Sequence, residues 1–293
     1  MSWRIGVVIN DSADPERKIQ SMKKTQKYLM VACVLGAFTP LAGFPLRTPD
    51  SAISLGTAGG FSVLAGSTVT NTGLSIIDGG NIGVSPGSSI TGFPPGFLAP
   101  PFTMHSADGD APQAQNDMIA AYIAASDFTP TMDLTGQNLG GLTLFPGVYS
   151  FSSSAQLTGT LTLDNLGDPN AQFVFQIGST LTTAINSMVT TINGGSMQGC
   201  TAFWQVGSSA TIGAGSTFAG HVLALTSITM NTGADILNGS ALAHDGAVTL
   251  DSNTITNCIP EPGTMTLALI GGALLSTRRM KGKVWHSSMP GGA

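Results

Sequence analysis

The central part of this sequence lacks cationic side chains. Between Ile53 and Asn257 there is no Lys, Arg or Glu, and the only acidic or imidazole side chains are eleven Asp and three His. A protein surface without cations cannot neutralise phosphates, so nucleic-acid binding is excluded. The same absence removes the Arg and Lys side chains that clamp phosphorylated or carboxylated substrates. The pattern indicates a mildly acidic, weakly charged surface.

Cysteine is also scarce, with three in the chain. Cys33 lies in the apolar N-terminal segment, which leaves Cys200 and Cys258. In an oxidising compartment these two could form a disulfide that ties an insertion after Asn193 to the C-terminal end of the central part. Two unrelated thiols are the alternative.

The cations are confined to the two ends of the chain. Residues 1–52 are predicted to be a leader, with an export signal that begins at Met22 and continues through three lysines into the apolar run Tyr28–Phe44. We expect Met22 to be the true start of the protein. The alternative is a cytoplasmic extension ahead of a membrane anchor.

The central part contains a repeat. Short apolar–Thr–apolar runs recur at intervals of 20, 29, 18 and 20 residues, and their central threonines are Thr162, Thr182, Thr211, Thr229 and Thr249. The run Phe173–Ser179 recurs in similar form as Ala202–Ser208, and the Gly-rich insertion Asn193–Gly199 explains most of the excess of the longest interval over 20 residues. A period near 20 residues in β-branched runs separated by Gly, Asn and Ser predicts a β-solenoid.

One solenoid coil would contain three short strands and their turns. Alternation places the residues on either side of each central threonine in the core and the threonine outside. Successive coils stack ~4.8 Å apart by strand pairing. The five threonines are therefore predicted to lie side by side on a flat, repetitive face, which we call the central column.

One segment has a helical pattern. Asp110 is a suitable N-cap, Pro112 suits the first turn, and a helix is predicted near residues 111–126. Its apolar face contains Ala114, Met118, Ala121, Tyr122 and Ala125. We expect this face to pack along the flank of the solenoid, because a helix without basic residues does not suit a membrane surface.

Eight runs within residues 53–257 carry a family resemblance: Leu55–Gly59, Gly83–Gly87, Thr91–Gly96, Gly140–Tyr149, Leu157–Asp164, Gly167–Ala171, Phe175–Thr182 and Ala241–Asp251. Together with the helix, they resemble the ice-binding proteins that have an irregular β-solenoid. The resemblance implies a mostly β domain at residues 53–258. Its fold would be a right-handed parallel β-solenoid of roughly triangular section, with one α-helix packed along its flank.

The resemblance also implies a function and two candidate sites. The protein would adsorb to the surface of ice crystals through a flat Thr-rich face, without catalysis or a cofactor. The first candidate is the central column. The second follows a Thr-Ala/Gly-x-Thr/Asn pattern seen in some family members, and this second set is Thr72, Ser75, Thr183, Asn186, Thr232 and Asp235. Strict alternation from Thr182 would turn Thr183 inward unless the chain turns a corner there.

Two other functions are open on the same scaffold. One is a structural or adhesive protein of an extracellular polymer. The other is a carbohydrate-active enzyme, for which the available acids are Asp164, Asp168, Asp245 and Asp251. Three of these acids, Asp164, Asp168 and Asp251, lie beside turn-forming residues, and the domain has no Glu, so enzymatic activity is not expected.

No metal site is expected either. His105, His221 and His244 lack metal-ligand spacing, and most such histidines are structural. The run Gly233–Gly239 resembles a calcium-binding β-roll repeat but occurs once.

The C-terminal segment resembles a second targeting signal. Pro260, Glu261 and Pro262 precede an apolar run, Met265–Leu275, and basic residues that begin with Arg278 and Arg279. This arrangement is similar to the Pro-Glu-Pro sorting signal of Gram-negative bacteria. It implies processing by an exosortase after export and delivery to the cell envelope or outside. The apolar stretch is shorter than the ~20 residues of a stable span, so membrane contact would be transient. Residues 259–283 form this sorting segment, and 284–293 are a tail.

Overall fold

The computed structural model describes residues 52–194 and 199–258. The predicted export signal and sorting segment lie outside these residues. A 3₁₀ helix at Gly56–Gly60 opens the described part. The strands that follow it are β1 (Phe61–Ala65), β2 (Thr68–Thr72), β3 (Ile76–Asp78), β4 (Asn81–Val84), β5 (Ser89–Thr91), β6 (Phe97–Leu98) and β7 (Met104–Ser106).

The α-helix α1 comes next, at Asp110–Asp127. The strands after it are β8 (Met132–Asp133), β9 (Thr143–Leu144), β10 (Gly147–Phe151), β11 (Ala155–Leu157), β12 (Thr160–Asp164), β13 (Phe173–Ile177), β14 (Leu181–Thr183), β15 (Met188–Ile192), β16 (Ala202–Val206), β17 (Ala210–Ile212), β18 (Thr217–Ala224), β19 (Ile228–Met230), β20 (Asp235–Ala243), β21 (Val248–Asp251) and β22 (Thr254–Thr256).

Parallel pairing arranges these strands on three faces. The helix face has the order β8-β10-β13-β16-β18-β20-β1-β4-β7. The threonine face has the order β11-β14-β17-β19-β21-β2-β5. The third face has the order β9-β12-β15-β18-β20-β22-β3-β6. This is the predicted fold class, a parallel β-solenoid that is mostly β with one helix on its flank.

The spatial order of the coils differs from their order in the sequence. The N-terminal coils stack on the last C-terminal coil, because β1, β2 and β3 pair with β20, β21 and β22. The helix α1 then packs along the helix face, against β1, β4, β7, β13 and β16. The chain resumes at the opposite end with β8 and β9. A strand can therefore have neighbours that are nearly two hundred residues away in the sequence.

The interior follows the predicted alternation. Inward side chains of the helix-face strands form an aromatic stack in which the rings of Tyr149 and Phe175 are 5.4 Å apart and those of Phe175 and Trp204 are 3.8 Å apart. The sequence echo has a structural meaning, because β13 and β16 pair residue for residue, from Phe173 opposite Ala202 to Ile177 opposite Val206. Such stacked rings contribute both buried area and favourable ring contacts.

The helix packs as its apolar face predicts. Ala114, Met118, Ala121, Tyr122 and Ala125 are buried against a cluster of outward apolar residues on the helix face. At the C-terminal end of α1, the Gln176 side chain donates Nε2 hydrogen bonds to the carbonyls of Ala125 and Phe128, both at 2.8 Å. One detail of the prediction is wrong. Asp110 is the first helical residue, whereas Gly109 occupies the N-cap and no side chain caps the helix there.

The corner between the third face and the helix face is closed without loops in two coils, where β18 and β20 bend through it. Gly220 has a φ of 100°, and a Cβ on Gly239 would lie 1.9 Å from the Gly220 carbonyl oxygen, so both positions require glycine. Cys200 and Cys258 form a disulfide, with Cα atoms 5.7 Å apart. It links a residue two positions before β16 to a residue two positions after β22.

Candidate functional site

A continuous row of threonines runs along the threonine face. The paired positions are Gln156, Thr182, Thr211, Thr229, Thr249, Thr70 and Thr91, in that order. We call the six threonines of this row the threonine column. Adjacent members belong to hydrogen-bonded parallel strands, so they repeat at ~4.8 Å. Thr70 donates its hydroxyl to the Thr249 hydroxyl at 3.4 Å.

A second outward row lies beside the threonine column. Backbone hydrogen bonds pass from Ala155 to Thr180, from Leu181 to Ser209 and from Ala210 to Ser227, so the residues that precede the column strands are also stacked. The row consists of Ser154, Thr180, Ser209, Ser227, Ala247, Thr68 and Ser89. Thr180 donates its hydroxyl to Ser154 at 2.8 Å. These two rows present small side chains, nearly all with hydroxyl groups and none with a charge.

Local sequence explains why these threonines point outward. In each central coil an apolar residue lies on either side of the threonine, as in Ala210–Ile212 and Ile228–Met230, and both flanking side chains are buried. A strand with two buried neighbours around one exposed residue has no freedom to slip by one position, since slippage would expose its core side chains. The threonine column is therefore held rigidly on the core.

The predicted position of Thr162 in the central column is wrong. Thr162 belongs to β12 on the third face, where it pairs with Thr143 and Thr190. The position next to Thr182 is occupied by Gln156. The 20-residue interval from Thr162 to Thr182 misleads because the coil from β10 to β12 is followed by a longer loop before β13. The other four predicted threonines lie side by side.

The second set does not form a flat face. Its three segments lie at the corner between the threonine face and the third face. Ser75 and Thr183 are buried, and Asp235 begins β20 on the third face. Asn186 is exposed in a left-handed turn with a φ of 57°. Thr72 and Thr232 are exposed at the end of β2 and in the turn before β20. Thr183 does turn inward, as strict alternation requires.

Two members of the threonine column, Thr70 and Thr91, were missed from the sequence. Both follow a β-branched apolar residue, Val69 or Ile90, so the local pattern was present. They are 21 residues apart, close to the C-terminal period, but they lie far before the C-terminal repeats in the sequence. They join the column because β2 pairs with β21, and β5 with β2.

The acids considered for catalysis have structural roles. Asp164 accepts hydrogen bonds from the Leu166 amide at 2.9 Å and the Asn193 side chain at 2.8 Å. Asp168 accepts one from the Asn170 amide at 2.8 Å. Asp251 accepts a hydrogen bond from the Thr232 hydroxyl. These contacts are typical of Asp in turns, and they agree with the interpretation of these acids as turn residues.

The histidines are dispersed. His221 is buried, and its Nδ1 lies 2.8 Å from the Ser240 hydroxyl oxygen. His244 lies beside Asp245, and His105 lies beside Asp108. Among the described residues no three His, Cys, Asp or Glu side chains are grouped so as to hold a metal ion. Within the same part of the chain, no helix has the length and apolar character needed to cross a membrane.

Fold and face together define a protein class, a parallel β-solenoid with an uncharged array of regularly spaced hydroxyl and methyl groups. The Ice-binding-like family model matches residues 63–256, and the chain belongs to that family. The ice-binding protein of Nostoc sp. (strain HG1) is 51% identical over 266 residues, which cover 87% of this chain and 95% of that protein.

Two solved structures support the same assignment. The ice-binding protein of the Antarctic ascomycete Antarctomyces psychrotrophicus has a TM-score of 0.67 and 41% identity, and the match covers 71% of this chain and 99% of that one. An ice-binding protein from an Antarctic biological consortium has a TM-score of 0.67 and 46% identity, over 73% and 96%. The expectation that this chain is not an enzyme agrees with these relatives.

Proposed function

We propose that this protein binds ice through the threonine face. The observation that carries the proposal is the unbroken register of the threonine column, beside a second row of small, mostly hydroxyl-bearing side chains. An array of this kind suits a crystal surface, because both surfaces repeat in two dimensions. A single exposed threonine would carry no such meaning, since Thr is common on exposed strand positions.

The mechanism follows from the chemistry of the face. Threonine methyl groups order the adjacent water, and the hydroxyls hydrogen-bond to it, so an ice-like layer can form and merge with the crystal. Charged groups would orient hydration water differently, and the two rows contain none. Stable adsorption then curves the ice front between bound molecules and slows its growth or recrystallisation.

Substitution with Tyr within the threonine column tests the proposal. Thr211→Tyr and Thr70→Tyr place a bulky ring where a flat surface is required, and we expect thermal hysteresis and recrystallisation inhibition to fall several-fold. These side chains are partly exposed, so the free energy of unfolding should change by only about 0.5 kcal/mol. Thermal hysteresis measured alongside the melting temperature separates the two effects.

Thr162→Tyr is the matched control. Thr162 is also a partly exposed strand threonine with buried leucines on either side, but it lies on the third face. It should retain wild-type activity. Wild-type activity in all three folded variants would exclude the threonine face as the ice-binding site. A wild-type domain that neither shapes nor slows ice would favour the structural or adhesive function.

We further propose that the protein acts outside the cytoplasm. Residues 53–258 would be the ice-binding domain, residues 1–52 the leader with its export signal from Met22, and residues 259–283 the sorting segment cut by an exosortase. The supporting observations are the cation-rich ends of the sequence and the disulfide within the described residues, which suits an oxidising compartment.

A further inference from the structure

A row of buried residues lines the corner between the threonine face and the third face. Each residue immediately precedes a third-face strand, and the row is Ser187, Ser216, Ala234, Asn253 and Ser75. The strand residues that follow them are paired from coil to coil, which places the five in register. All five are at most 2% exposed. We call the four polar members the corner ladder.

In the first half of the corner ladder, side chains bind the backbone of the neighbouring coil. Ser187 donates its hydroxyl to the Leu157 carbonyl at 3.0 Å. Ser216 donates to the Ala184 carbonyl at 2.9 Å and accepts a hydrogen bond from the Ser187 amide at 3.1 Å. Beside it, the buried Thr183 hydroxyl accepts a hydrogen bond from the Gly213 amide at 2.8 Å.

The second half uses Asn253 and Ser75 in the same way. Asn253 donates from Nδ2 to the Asn231 carbonyl at 2.8 Å and accepts from the Asp251 amide at 2.6 Å. The Ser75 hydroxyl accepts from the Asn253 amide at 3.0 Å and donates to the Asn71 side chain. Asn71 in turn donates to the Gly92 carbonyl at 2.8 Å.

These backbone partners lie immediately after the outward row of the threonine face. Two of them follow the row by one residue: Leu157 follows Gln156, and Gly92 follows Thr91. The other four, Ala184, Gly213, Asn231 and Asp251, lie two residues after Thr182, Thr211, Thr229 and Thr249, respectively. The corner ladder therefore holds the point at which each threonine-bearing strand leaves the face. A shift of one corner would tilt the threonine next to it out of the common plane.

Ala234 shows that a coil can close without a polar side chain at this position. It is fully buried, and its amide makes a local hydrogen bond to the Asn231 carbonyl at 2.9 Å. Buried polar groups carry a desolvation cost that their hydrogen bonds must offset, so four of them at one corner need a reason beyond closing the chain. Geometric precision at the adjacent face is such a reason.

We infer that the corner ladder, together with Thr183, positions the threonine column for ice binding. These are positioning residues that do not touch the ice. The inference rests on the proposed function of the threonine face. It predicts that loss of a corner hydrogen bond lowers ice activity at temperatures where the protein is fully folded.

Thr183→Val and Ser216→Ala test the inference, since each deletes one corner hydroxyl and Val has nearly the shape of Thr. The matched control is Ser62→Ala. Ser62 is equally buried and donates to the Asp78 carbonyl at 2.9 Å, but it lies at the corner between the third face and the helix face. Thermal hysteresis near 0 °C and the melting temperature are measured for all three variants.

We expect a several-fold loss of hysteresis in Thr183→Val and Ser216→Ala, and wild-type hysteresis in Ser62→Ala at a comparable melting temperature. If Ser216→Ala fails to fold, the nearly isosteric Thr183→Val decides the question. Full activity in the folded corner variants, or an equal loss in Ser62→Ala, would overturn the inference and leave the threonine face in place. An inactive wild-type protein would instead overturn the proposed function and the inference with it.

Discussion

At the scale of single residues, threonine suits the threonine face in two ways: it favours the strand conformation, and it presents its side-chain groups in fixed positions. Its branched Cβ favours a strand and restricts the side chain, so the methyl and hydroxyl groups occupy defined positions. Thr182 and Thr183 show that position decides the role. Thr182 is exposed on the face, whereas Thr183, one residue later, is buried and holds the Gly213 amide. The same residue type is a surface group in one place and a structural hydrogen-bond partner in the next.

His221 predicts how stability depends on pH. Burial lowers the pKa of its imidazole to about 4, against the opposing effect of a hydrogen bond with the Cys200 backbone. The unfolded chain, with an ordinary pKa of about 6.5, binds the proton more readily. The free energy of unfolding should therefore be highest above pH 6.5 and fall as the pH drops from 6.5 to 4, by up to about 3 kcal/mol.

Melting temperatures between pH 7 and 4 check this expectation. His221→Gln should flatten the dependence in this window, because Gln does not titrate. An unchanged slope in His221→Gln would assign the pH dependence to other groups.

At the scale of elements, α1 packs on the outside of the helix face and buries its apolar residues. It covers outward apolar residues of the helix face that would otherwise meet water, among them Val174, Phe203 and Leu223. Small alanines on its inner face allow close approach to the strands. The helix does not cover the threonine face or the third face. The position of α1 therefore leaves these two faces available to a ligand.

Ala121→Arg should destabilise the protein by on the order of 1–3 kcal/mol, because Ala121 is 1% exposed and the larger charged side chain has no space. Ala120→Arg is the matched control on the same turn of α1. Ala120 is exposed, so its change should stay within about 0.5 kcal/mol. Equal denaturant midpoints for the two variants would show that α1 does not dock through Ala121.

At the scale of the whole molecule, charge and coil order are the dominant features. The domain has eleven Asp and no Lys or Arg between Ile53 and Asn257, so its formal charge there is −11 with neutral His. Every cation of the chain lies in the segments assigned to export and sorting. Removal of both segments would therefore change the formal net charge from −5 for the full chain to −11 for the ice-binding domain, with neutral His.

We expect the protein isolated from its native cells to lack both Lys23 and Arg278. Intact-mass measurement gives this directly. The same gene expressed in a host without an exosortase provides the control, and its product should retain Arg278. A native product that kept either residue would show that the corresponding segment is not removed.

Much of the fold could be predicted from local sequence. Alternation places Leu181 inside and Thr182 outside, and it also turns Thr183 inward, because neighbouring strand residues point to opposite sides. The Ala-rich segment after Asp110 predicts α1 through helix propensity and the spacing of its buried face. These two properties depend on residues within a few positions of one another. Composition alone, through the absence of Lys and Arg, predicts a mildly acidic surface without cations.

The membership of the threonine column was decided by the tertiary structure. Thr70 and Thr91 enter it because the N-terminal coils stack on the C-terminal coil, and Thr162 leaves it because its coil turns a corner earlier than the repeat interval suggests. Strand pairing joins residues that are far apart in the sequence, and the number of residues in each loop sets where the next strand begins. A sequence period measures distance along the chain, whereas a flat binding face requires alignment across it.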